Sequence, residues 1–168
     1  MTWLPFDLHP EYPPEGIPRE ALLARYGGEG MTERLRRFFT ERGLEYNPHP
    51  GIVPNSRDAL RLTELARDLG RHAELHEQLM DAYWAEAKNI GDQDVLRAEA
   101  TSVGLPVGEV EDVLAGDRYL DRVTASTREA FGFGATAVPA FVLDRRLLVL
   151  GAQPDEVFEQ AFAQLESA

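Results

Sequence analysis

Apolar positions recur at different spacings along the chain, and each spacing predicts an element. Trp3, Leu4, Phe6 and Leu8 gather around Pro5, which predicts a short strand or an extended arm over Thr2 to Leu8. A proline without an N–H suits a strand end or a sheet edge. Four prolines and a glycine between His9 and Pro18 predict a restricted loop. Pro18 opens a first helix to about Tyr26, ended by Gly27, Gly28 and Gly30. Thr32 caps a second, with Leu35, Phe38 and Phe39 at helical spacing and Gly43 closing it. Leu44 to Tyr46 is a strand candidate, and Pro48, Pro50 and Pro54 forbid regular structure until Asn55.

From Asn55 to about Gly132 every segment has helical periodicity. Asn55 or Ser56 caps a helix holding Leu60, Leu62, Leu65 and Leu69, stopped by Gly70. The next runs from His72 through Leu75, Leu79, Met80, Tyr83 and Trp84. Asp92 caps one that ends at Gly104, Pro106 to Leu114 forms another, and Asp117 opens the last, with Leu120, Val123, Thr127 and Ala130 on one side. The period then changes. Ala140 to Leu143 and Leu147 to Leu150 are apolar runs around Asp144-Arg145-Arg146, a β-hairpin with a tight polar turn. Pro154 starts a terminal helix that buries Val157, Phe158, Ala161, Phe162 and Leu165.

Composition adds mostly exclusions. At 168 residues, 43% apolar and 27% charged, the chain has the usage of a globular domain with room for one insertion. Its net charge of −12 disfavours nucleic acid and anionic membranes as partners. No apolar run is long enough to span a bilayer, and no charged start precedes an apolar stretch, so the expected compartment is the cytoplasm. There is no cysteine, so these residues form no disulfide, zinc-thiolate site or thiol nucleophile.

Three stretches carry a resemblance. Thr136-Ala137-Val138-Pro139-Ala140-Phe141-Val142 sets a proline immediately before an apolar strand. Gly151-Ala152-Gln153-Pro154 follows the hairpin, and Trp3-Leu4-Pro5-Phe6-Asp7-Leu8-His9-Pro10 leads into the proline-rich loop. With the helical stretch between them, they resemble the DsbA-like thioredoxin-fold family, in particular its FrnE-type branch. That branch is related to 2-hydroxychromene-2-carboxylate isomerases and kappa-class glutathione transferases. The resemblance implies an α/β chain, an incomplete thioredoxin fold with an inserted all-helical domain: residues 1–54 and 133–168 as the thioredoxin-like remnant, 55–132 as the insertion. It also implies a cis bond before Pro139. The backbone of Val138 would then be free to pair with an extended peptide or a glutathione-like thiol, making Ala137, Val138 and Pro139 the expected substrate-binding residues. No cofactor is expected.

Family members carry a strand, a Cys-x-x-Cys turn (serine in the isomerase branch) and a helix before the segment that resembles Thr2 to Pro10. This chain starts at that segment. Disulfide exchange needs a thiolate, so the expectation is a redox-silent relative with no catalytic residue. Ser56, Ser102, Ser126 and Ser167 do not match the serine turn. Without the strand, backbone groups on either side of the gap lack partners, at about 1–3 kcal/mol each. The second strand then shifts onto the hairpin, a second copy fills the gap in a homodimer, with domain swapping as one form of it, or the gene begins upstream. The dimer is the expected outcome. The alternatives to the cleft reading are a binding or dimerisation module, and a shortened form of an active oxidoreductase.

Other residues are weighed against plainer roles. His72 and His76 stand four apart, a metal-ligand spacing, but two ligands make no site and a solvated helix face is favoured. Asp7 suits a general acid or base, with structural capping favoured. His9 and His49 read as loop hydrogen-bonders, and Trp84, Tyr83 and Met80 as core. Gln153 bonds the cleft backbone or caps the last helix. Gly27-Gly28-Glu29-Gly30 reads as a flexible linker and not a phosphate loop.

Overall fold

The structure, a computed structural model, describes residues 1–167. Its order is β1 (Ile17–Pro18), α1 (Arg19–Tyr26), α2 (Glu29–Thr40), β2 (Ile52–Val53), α3 (Arg57–Asp68), α4 (His72–Trp84), α5 (Gln93–Ser102), α6 (Val107–Ala115), α7 (Leu120–Gly132), β3 (Ala140–Leu143), β4 (Leu147–Leu150) and α8 (Asp155–Glu166). Among the described residues no helix is long and apolar enough to cross a membrane.

α3 is the centre of the helical region and packs on α4, α5, α6 and α7. Leu62, Leu65, Leu75, Leu96 and Ala100 are wholly buried there, and one continuous core runs from Ala59 to Leu114. Polar groups enter this core only with partners. Buried Arg61 donates to the carbonyls of Arg118 (2.9 Å), Val113 and Gly116, and to Asp58 (2.8 Å), so one guanidinium closes the carboxyl end of α6 and the turn into α7. Buried Glu64 accepts from Arg67 (3.0 Å) and Arg122 (3.4 Å). Lys88, the chain's only lysine, reaches Glu86 and the buried Glu99, each at 2.6 Å. Hydrogen bonds from Glu86 first and Glu99 second push its ammonium up to about 12.

Elsewhere the strands are short. β1 and β2 form a two-residue antiparallel ladder, Ile17↔Val53 and Pro18↔Ile52. Gly16, at φ +79°, makes it possible, since a Cβ there would collide with the Val53 carbonyl. β3 and β4 form a separate antiparallel hairpin from Ala140↔Leu150 to Leu143↔Leu147. Asp144 and Arg145 both have positive φ, and Arg146 N–H returns to the Leu143 carbonyl at 3.0 Å, a type I′ turn. α8 leans on β4, with Phe158 edge-on to Phe141 at 5.0 Å.

Several expectations are corrected here. Leu44 to Tyr46 forms no strand; Tyr46 is taken by ring contacts with Phe39 and Trp84. α2 starts at Glu29, so Thr32 lies inside it and Gly27 and Gly28 alone form the link. α7 starts at Leu120, because Tyr119 is left-handed and breaks the turn opened at Asp117. Of the two forms expected for Thr2 to Leu8, the arm is the one present, since these residues form no strand and do not pair with the hairpin.

Candidate functional site

The segment expected to bind substrate runs from α7 into β3. Ala137 and Val138 are exposed, Val138 at 56%, and Pro139 is half-buried. The Val138–Pro139 peptide bond is cis. Pro139 is fixed from behind, its carbonyl accepting the Gly151 N–H at 2.7 Å. Gly151 has φ +81°, so the stretch after the hairpin curls back to brace the segment before it. Gln153 stays local and donates to the Leu150 carbonyl at 2.7 Å; α8 has no side-chain cap. Among the described residues β3 pairs only with β4, so its other edge is open.

The arm lies against α3, α4 and α7, where its contacts overturn two plainer readings. Asp7 is 5% exposed and caps nothing: its N–H donates to the Thr127 hydroxyl oxygen (2.9 Å) and its Oδ2 accepts from Arg57 Nε (3.2 Å). Arg57 also donates to the Pro10 carbonyl at 2.7 Å. An ion pair and a backbone hydrogen bond therefore fasten the arm to the start of α3 and to α7. Phe6 meets Phe131 edge-on at 5.2 Å, and Arg67 donates to the Trp3 carbonyl. The Trp3 ring covers His76 at 5.1 Å, and His76 stacks on His72 at 5.8 Å. The two histidines are thus a half-covered stack and not a solvated face, and burial lowers both imidazoles below their ordinary range. Among the described residues no group of three metal-ligating side chains comes together.

His9 stacks on Tyr12 at 4.4 Å with its Nδ1 3.0 Å from Glu11. His49 Nδ1 accepts the N–H groups of Gly51 and Ile52, which shapes the approach to β2. Trp84 and Tyr83 pack together at 4.6 Å, whereas Met80 is 37% exposed. Sequence reasoning missed Arg57, Thr127 and Arg128, the polar groups gathered opposite Asp7. The only signal was the i, i+4 pair Thr124 and Arg128 on α7, polar where a core helix would be apolar.

A family profile described as DSBA-like thioredoxin domain matches residues 1–163. The chain is 27% identical over 170 residues to the uncharacterised protein YwbO of Bacillus subtilis, covering 97% of this chain and 80% of that protein. It superimposes with a TM-score of 0.84 and 36% identity on the crystal structure of a probable DsbA oxidoreductase from Streptomyces coelicolor, covering 95% of this chain and 72% of that one.

Proposed function

Because the chain belongs to the DSBA-like thioredoxin family, we propose that its residues form a binding cleft that takes an extended peptide or a thiol-bearing small molecule and carry out no dithiol exchange themselves. The observation that carries this reading is the open edge of β3 beside the exposed Ala137 and Val138. An extended ligand there gains main-chain hydrogen bonds in the manner of an added strand, and the Pro139 carbonyl, already held by Gly151, gives it a fixed wall. Thiol–disulfide exchange begins with attack by a thiolate, and none of the 168 residues supplies one. Calorimetric titration with glutathione and with an unstructured peptide, run beside an insulin-reduction assay, tests both halves. Saturable heat with no reduction above buffer is the expected result. No heat overturns the cleft, and reduction by the purified chain overturns the chemical half.

A second reading, a module that pairs with its own copy, is favoured by the apolar side chains left exposed: Leu4 at 65%, Phe162 at 52% and Val142 at 39%. Two β3 edges from two copies would satisfy one another. Sedimentation at micromolar concentration decides it, a monomer excluding this reading.

A further inference from the structure

Between the arm and α7 lies a cavity of about 500 Å³, within the roughly 300–1,000 Å³ of small-molecule sites. Leu120 and Phe131 give it apolar surface at the two ends of α7, about 16 Å apart along the helix axis. Its polar groups are unevenly used. Asp7 is nine-tenths buried, with Oδ2 bound to Arg57, while Oδ1 has no partner among the described residues. Asp7 lines the cavity and Oδ1 is not sealed from it, so this oxygen is free to accept from a bound donor. Arg128, on the same helix, is exposed and joins no ion pair or hydrogen bond among the described residues. Thr124 lies one helical turn before it with its hydroxyl uncommitted. In a chain of net charge −12, the charged groups of this cavity sum to one positive: Asp7 and Arg57 cancel, and Arg128 is unbalanced.

An unpaired acceptor at the arm, an unpaired cation on the helix and apolar surface along the helix together describe a ligand with three parts. We propose that this cavity binds an apolar dipeptide as the zwitterion. The ligand's ammonium donates to Asp7 Oδ1, its carboxylate is held by the Arg128 guanidinium and the Thr124 hydroxyl, and its side chains lie on Leu120 and Phe131. A simple anion satisfies Arg128 and leaves Asp7 Oδ1 without a donor. A simple amine does the reverse. Only a molecule carrying both groups answers both ends. The site stands independently of the β3 edge, which shares none of these residues.

The test is calorimetric titration of the full chain with phenylalanyl-leucine, its N-acetyl form and its C-terminal amide. Saturable heat is expected for the free dipeptide, with a loss of about tenfold in affinity for each blocked form. Arg128→Gln, an exposed change that leaves folding intact, should erase the difference between free acid and amide while the penalty for acetylation stays. Asp7→Asn should erase the penalty for acetylation alone. No saturable heat with the free dipeptide overturns the proposal, as do equal affinities for all three ligands on the unaltered chain or an Arg128→Gln variant that still prefers the free acid.

Discussion

Leu62, Leu65, Leu75 and Leu96 in the helices from α3 to α6 are wholly covered, whereas the eight residues of the β3–β4 hairpin contain one buried side chain, Val149, and α8 buries only Ala161. Both regions are rich in leucine and valine, so the difference lies in what each can put around its apolar surface. α3 is surrounded by four other helices, each turning an apolar stripe inward. A two-stranded ladder has two faces and two edges, and a single helix against β4 covers only part of them. A regular apolar pattern thus guarantees an element, and burial follows only where neighbours are numerous enough.

The largest expected effect separates the two regions directly. Leu62→Ala should cost about 2–5 kcal/mol in urea unfolding, the range for truncating a buried leucine. Leu148→Ala in the half-exposed hairpin should fall below that range. Equal losses would break the contrast. A smaller effect sharpens it: Arg145 holds a left-handed conformation that costs a non-glycine residue roughly 1–2 kcal/mol. Arg145→Gly should therefore stabilise the hairpin by about 1 kcal/mol, read as slower amide exchange in β3 and β4 with exchange in α3 to α6 unchanged. The smallest effect concerns the arm. Burial lowers His72 and His76 in the folded chain, so the unfolded chain takes up protons first, near the ordinary 6.5. The stabilisation from two neutral imidazoles is complete above that value, drains as pH falls through it, and levels off below the folded values. Replacing both with glutamine should flatten the stability-against-pH curve between roughly pH 7.5 and 5.

The sequence made the helical region legible because its signals were redundant. Asp92 accepts the Asp94 and Val95 N–H groups as an N-cap must, and the leucines of α3 and α4 keep helical period without a break. The hairpin followed from two apolar runs and a polar turn. Leu44 to Tyr46 misled because a short apolar run has no period of its own, and Tyr46 was claimed by Trp84, 38 residues away. β1 and β2 escaped notice because a two-residue ladder leaves no pattern. The Ala137–Pro139 segment was legible only through a family likeness. The Asp7–Arg57 pairing was not legible at all, since it joins residues 50 apart through a turn no local rule predicts.

Lys88 has a practical consequence for any search for paired copies. It is the only side-chain amine in the chain, and two carboxylates already hold its proton. Besides the α-amine, amine-directed cross-linkers find one weakly nucleophilic side chain per molecule, so a blank gel lane with such a reagent reports on reagent chemistry and not on association. Carbodiimide coupling of the carboxylates to a dihydrazide bridge, with 29 acidic side chains to choose from, can capture neighbours that lysine reagents pass over.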